Sequence, residues 1–490
     1  FFLYWFENMS ELSRKCPYLD TIDRSVLDFD FEKQCCVTLT HLNVYACLVC
    51  GKFYQGRGIN SQASNHALQA NHFVFINLHT TRIYCIPDNY EIIDSSLDDI
   101  KYALNPTYKK SQIEQLDKNT ETVRAQDGYS YLPGIVGFNN INQMSPINAI
   151  LQSLVRIPKL RDFFIQPDNY SKRNSRLLDS FGQLIRRVWS RGLFRVQISP
   201  HEMLQAISVE SKKYFESRNY EPIEFLSWFL NSLHKNLGGT KKAGSSVIHE
   251  CFQGVVQVKT YKKKKTKKID YDDDNDNNEK EEIEDNIDED DEHPIFEGYE
   301  AKPDISYTPF LHLSLDVPPP PVFTSETERD IIPQVPIYEL LQKFDGNTVQ
   351  HIASTSQKKQ YTIISLPKYL IFHIKRFTRN QYFTEKNHTI VNFPMKELDV
   401  GNYCKFTSKS KVSTKYNLIA NICHEGKKDE ELNKTLTRME HEGIKGTCVV
   451  DVTNKGDDNW YRIQDLTVKE TMPQEITVSE AYIQIYERQD

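Results

Sequence analysis

Cys47-Leu48-Val49-Cys50 sets two thiols on one tight turn, and His66 and His72 follow 16 and 22 residues after the second. A C-x2-C turn points both sulfurs at one point. Two imidazoles then complete a tetrahedral donor set of the kind Zn2+ takes. Ten cysteines in 490 residues are too sparse for a disulfide scaffold. The apolar start, Phe1 to Phe6, is short and lacks the basic flank of a secretory signal, so the thiols are expected to be reduced. Closely spaced thiols in a reduced chain read as metal ligands first. Cys47, Cys50, His66 and His72 are therefore the candidate ligands of one structural zinc ion. The two histidines lie in Asn65-His66-Ala67-Leu68-Gln69-Ala70-Asn71-His72, which reads as a short helix and a turn. Cys16, Cys35, Cys36 and Cys85 read as buried thiols, adjacent Cys35-Cys36 being a poor chelate for one metal.

The length asks for two or more domains. The net charge of −7 has one origin, because residues 259–292 hold 15 Asp and Glu against 8 Lys. Of the 67 acidic and 60 basic residues in the whole chain, 52 of each remain outside that stretch. A balanced body gives no global electrostatic case for nucleic-acid binding, which leaves RNA contact undecided. No apolar run approaches the roughly 20 residues of a membrane span, so no membrane partner is expected.

Along the chain, 1–14 reads as a tail, 15–100 as a Cys-, His- and aromatic-rich domain, and 101–130 as a polar, helix-like linker. Residues 131–258 carry helical periodicity and 294–490 alternate like strands. One helix is expected to start at Ser145-Pro146, with Ser145 as N-cap and Pro146 in the first turn. Its apolar face is Ile147, Ile150, Leu151 and Leu154, and Pro158 stops it. A second is expected over about 222–237, with a stripe of Ile223, Leu226, Leu230, Leu233 and Leu237. Residues 259–293 form a charged insert that cannot bury enough apolar surface to fold. Its run from Lys262 to Lys268 has the composition of a nuclear-import signal. Pro318 to Pro321 reads as a stiff polyproline joint.

At this point the motifs match a family. Cys47 to His72, with Tyr54-Gln55-Gly56-Arg57, resembles the zinc-finger ubiquitin-binding domain attached to ubiquitin-specific proteases. Gly137-Phe138-Asn139-Asn140-Ile141-Asn142-Gln143-Met144-Ser145-Pro146-Ile147-Asn148-Ala149 resembles the Cys box of the protease domain itself. Asn219 to Leu226 resembles its glutamine-rich helix, and Leu366 to Phe377 its strand motif. Tyr416 to Gly426, Asn459-Trp460-Tyr461 and Ala481-Tyr482-Ile483 resemble its His box. The resemblance spans about 15–490. It implies an α+β chain: a zinc finger, then a papain-like domain over 131–490 with an extended β region that needs no second zinc.

The family's chemistry needs a thiolate, a His base that lowers its pKa, and a residue that orients the His. By this resemblance the nucleophile position is Ser145, the base position Thr447 within Gly446-Thr447-Cys448, and the orienting position Gln464. No catalytic residue is expected, and the chain reads as a pseudoenzyme. Asn140 stands where the family places an oxyanion donor. Asp465 has no His to orient, Cys448 falls on the wrong element, and His424 and His441 do not stand where a base must reach. Family fingers hold a ubiquitin tail with an Arg and aromatics. Arg57 and Tyr45 are the candidate residues here, with Tyr84 and Tyr90 as looser matches.

Within the family, the chain resembles the non-catalytic, splicing-associated branch in particular. It is carried by Cys16-Pro17-Tyr18-Leu19-Asp20-Thr21, Leu27 to Lys33, Asn43 to Lys52, Asn77 to Thr80 and Cys85 to Asp94. The resemblance implies a nuclear scaffold of pre-mRNA splicing, holding proteins of the U4/U6.U5 tri-snRNP. A catalytically dead ubiquitin reader is the alternative, and an active peptidase with a displaced site is the third reading.

Overall fold

The computed structural model describes residues 16–30, 32–86, 88–216, 220–263, 299, 302–319, 332–352, 355, 357–379, 384–405, 412–425 and 447–490. The tail, Asn219, the insert beyond Lys263, Pro320-Pro321, Gly426, His441 and Gly446 lie outside them.

The first unit is a five-stranded antiparallel sheet in the order Phe53–Gln55, Val44–Cys47, Val74–Asn77, Ile83–Cys85, Tyr90–Glu91. Its strands are short, and Val44–Cys47, Val74–Asn77 and Ile83–Cys85 are buried throughout. The Gln62–Ala70 helix is started by Ser61, whose hydroxyl accepts from the Ser64 N–H, and ended by Asn71 at φ 55°. Asn tolerates that left-handed turn, which sends the chain back toward His72.

The second unit is α+β. The Ser145–Leu154 helix is buried along almost its whole length, and it packs against the Thr447–Thr453 strand. The Pro222–Asn236 helix buries Ile223, Leu226, Leu230 and Leu233 as its spacing predicts, and Phe225 and Phe229 as well. Behind these helices lies an eight-stranded sheet. Its main path runs Leu313–Asp316, Tyr369–Lys375, Ala481–Arg488, Lys415–Glu425, Thr447–Thr453, Trp460–Gln464, Thr467–Thr471. The period-two alternation of strands is visible in one of them. Tyr369 and Ile371 face the helical core, while Leu370, Phe372 and Ile374 face a second core on the other side. A separate four-stranded sheet runs Gln350–Ile352, Gln357–Ser365, Gly254–Tyr261, Asp304–Phe310.

Three expectations change. Ser145 is the first helical residue and caps nothing; Met144 occupies the cap position. Residues 101–130 are not a free linker, because Ile113 and Leu116 join the helical core and the Tyr108 hydroxyl donates to the Arg186 carbonyl at 2.6 Å. The Gly254–Tyr261 strand carries the ordered sheet into the charged stretch that was placed from 259.

The finger and the larger unit are joined by a strap. Asp30 pairs with Arg187 and accepts from the Ser199 N–H at 3.1 Å. Lys33 meets Glu202 at 2.9 Å, Arg195 meets Asp28 at 3.3 Å, and the Phe29 and Phe194 rings lie 5.8 Å apart. On its other side the strap rests on the cysteine turn: the Asp23 N–H donates to the Leu48 carbonyl at 3.0 Å. Gly51, at φ +72°, abuts Val26 so closely that a Cβ there would stand 2.3 Å from the Val26 oxygen.

Candidate functional site

The cysteine turn and the Gln62–Ala70 helix bring Cys47, Cys50, His66 and His72 together, with all four donor atoms within 4.8 Å of one another. Cys47 Sγ lies 3.6 Å from His72 Nδ1, Cys50 Sγ lies 3.4 Å from His66 Nε2, and the two imidazole nitrogens are 3.2 Å apart. A tetrahedral zinc with its usual bond lengths sets ligand atoms about 3.3–3.8 Å apart, so this donor set fits that ion. The Cys47 and Cys50 thiols share a hydrogen bond that pushes the first pKa up and pulls the second down. Tyr54 stacks on His66 at 4.2 Å and holds the ring in place. Among the described residues no other His, Cys, Asp and Glu group of this kind is found.

Of the remaining cysteines, Cys16, Cys35 and Cys85 are buried as expected, but Cys36 is exposed. Its neighbour Cys35 fills the inward position, so the next side chain on the turn points out.

Arg57 lies over the Tyr84 ring at 4.0 Å, and Tyr84 meets Tyr45 edge-on at 6.1 Å. The structure thus gathers Arg57, Tyr45 and Tyr84. Tyr90 packs instead against the neighbouring cluster that holds Cys16 and Cys85.

In the larger unit, Ser145 is 3% exposed and its Oγ donates to the Cys448 carbonyl at 3.0 Å. Gln464 Nε2 donates to Thr447 Oγ1 at 3.3 Å, so these two positions touch. Asn140 is not a free donor, because its amide donates to Asp465 Oδ2 at 2.9 Å, and the buried Asn148 amide donates to Oδ1 at 2.9 Å. Asp465 is thus held from both sides by asparagines. Sequence reasoning missed this; the available signal was a carboxylate directly after the orienting position. Burial pushes the Cys448 thiol up to about 12 and pulls the His424 imidazole down to about 4. No thiolate is on offer there, and an imidazole held neutral with so low a pKa is a weak proton acceptor. A cavity of about 950 Å3 opens beside this arrangement, lined by Asn140, Gln464 and Asp465 on one side and by Asp30 and Glu32 of the strap on the other.

The ubiquitin carboxyl-terminal hydrolase family matches residues 136–486, and the Zn-finger in ubiquitin-hydrolases and other proteins matches 33–97. The chain belongs to the ubiquitin carboxyl-terminal hydrolase family. Ubiquitin carboxyl-terminal hydrolase 39 of Homo sapiens is 46% identical over 489 residues, covering 98% of this chain and 80% of the relative. The probable mRNA-splicing protein ubp10 of Schizosaccharomyces pombe is 38% identical over 480 residues, covering 96% and 88%. A crystal structure of an essential yeast splicing factor superposes with a TM-score of 0.72 at 25% identity, covering 97% of this chain and all of that one.

Proposed function

We infer that this member of the hydrolase family is a non-catalytic scaffold of pre-mRNA splicing. It would act in the nucleus in the assembly or stability of the U4/U6.U5 tri-snRNP, with proteins of that particle as partners. One observation carries the non-catalytic half. The three positions that would bear nucleophile, base and orienting group hold Ser145, Thr447 and Gln464, and Ser145 is buried with its hydroxyl engaged. A serine needs a general base even more than a cysteine does. The splicing half is supported by relatives that are themselves named for splicing and match almost the whole chain. Cys47, Cys50, His66 and His72 would hold one structural zinc, and the fold around it would serve packing. The test of the first half is incubation with a fluorogenic ubiquitin substrate, where no turnover is expected. Turnover abolished by Ser145→Ala would overturn it. The test of the second half is sedimentation of nuclear extract: the chain should travel with the U4, U5 and U6 RNAs, and migration apart from them would count against it.

A second reading is favoured by one contact. Arg57 stacked on Tyr84 beside Tyr45 is a cationic and aromatic group suited to a peptide carboxylate. On that reading the chain is a ubiquitin reader. Retention on ubiquitin beads that is lost in Arg57→Ala would establish it.

A further inference from the structure

The four-stranded sheet carries a charge pattern that the scaffold reading does not use. Its described strands and flanking residues hold Lys259, Lys262, Lys263, Lys302, Lys358 and Lys359, with Asp304 among them and Asp345 bridging Thr362 at the other end of the sheet. Asp304 is 3.8 Å from Lys262. The balanced charge of the rest of the body makes this a local feature, and local charge governs contacts within a Debye length of about 8 Å.

The register sorts these residues by face. Gln257, Lys259 and Tyr261 alternate on one face of the Gly254–Tyr261 strand. Beside them on one neighbour are Tyr307, opposite Gln257, and Ile305, opposite Lys259. On the other neighbour Lys358 stands opposite Tyr261, and His351 continues the row. Directly opposed residues share a face, so lysines and tyrosines interleave on one surface. Tyr307 is 60% exposed and Ile305 49% exposed. The Gln257 amide donates to the Tyr307 hydroxyl at 3.2 Å and steadies the ring. Lys358 lies over Tyr299 at 4.2 Å, which keeps its ammonium at this end of the sheet.

We propose that this sheet face binds single-stranded RNA, with Lys259 and Lys358 on the phosphates and Tyr307 stacking a base. A duplex hides its bases, whereas an unpaired strand offers both a phosphate track and free base faces. An acidic peptide would satisfy the lysines but leave the exposed ring without a partner. Sequence 270–292 is acidic and is tethered between Lys263 and Tyr299, so polyglutamate is the competitor to include.

The test is fluorescence anisotropy of the full chain with a labelled uridine-rich single strand across a salt series. Affinity should fall with salt, and Lys259→Glu with Lys358→Glu should shallow the log–log slope by about 1.4, at about 0.7 per phosphate lost. Tyr307→Ala, at an exposed position that leaves the fold intact, should weaken binding roughly tenfold. Lys172→Glu, at an exposed site elsewhere, should change little. Absence of binding at low salt would overturn the proposal, as would an equal loss in Lys172→Glu or no loss in Tyr307→Ala. Displacement by polyglutamate as effective as by unlabelled RNA would also overturn it, in favour of an acidic protein partner. None of these results bears on whether the chain sediments with the tri-snRNP.

Discussion

Gln464 donates its side-chain amide to the Thr447 hydroxyl at 3.3 Å. On the proposed reading these are the positions that would orient and supply a general base, and the two elements touch there through groups that lack that chemistry. Neither an amide nor an aliphatic hydroxyl accepts a proton near neutral pH. The Ser145 hydroxyl, meanwhile, is spent on the Cys448 carbonyl.

Putting back a thiol is therefore not expected to restore hydrolysis. Ser145→Cys should give no turnover of a ubiquitin substrate, because among the described residues no base stands beside it. Ser145→Ala should instead cost about 0.5–1.5 kcal/mol of stability by removing a buried hydrogen bond. Chemical denaturation reads that loss, and an unchanged midpoint would mean the hydrogen bond is dispensable.

The metal prediction is one zinc per chain, lost in His72→Ala. Chelation should unfold the finger, since structural zinc sites supply folding energy outright. Metal analysis with circular dichroism before and after chelation checks both parts. A finger that stays folded without metal would contradict the assignment of Cys47, Cys50, His66 and His72.

How much of this was legible beforehand differs by feature. The four metal-binding candidates fall within 26 residues, and local spacing suffices to group them. The Pro222–Asn236 helix was legible for the same reason, because its apolar stripe is periodic. The strap was not. Asp30 and Arg187 are far apart in sequence, and each alone reads as a solvated charge. Asp465 was recognised as a carboxylate without a histidine, but its two asparagine partners lie more than three hundred residues away. Ser145 was misread as a cap because Ser-Pro is a strong local signal; the tertiary acceptor on Cys448 took its hydroxyl instead.

The strap is open to direct attack. Arg187→Ala should cost about 3–5 kcal/mol, because it leaves Asp30 partly buried without its cation. Gly51→Ala should destabilise the finger side, where a Cβ would meet the Val26 oxygen at a left-handed backbone position. Both variants should speed proteolytic cleavage between the finger and the larger unit. Unchanged cleavage would mean that the strap does not hold them together.

Acid should weaken the fold through buried histidines. Burial holds His373 near about 3 and His424 near about 4 in the folded chain, against an ordinary value of about 6.5. Between about pH 6.5 and about pH 4 the unfolded chain binds more protons, so stability is lost as pH falls, by about 1.4 kcal/mol per pH unit for each group. The urea midpoint should drop between about pH 7 and about pH 5, and His373→Gln should flatten that drop. Identical slopes for the two proteins would contradict it.

The central claim is that a protease fold has been kept for assembly. Its most direct test is native purification of the tagged chain from nuclear extract at moderate salt, with the accompanying RNAs and proteins identified. The U4, U5 and U6 RNAs should be recovered together with the proteins of the tri-snRNP. Recovery of ubiquitin conjugates without those RNAs and proteins would contradict it.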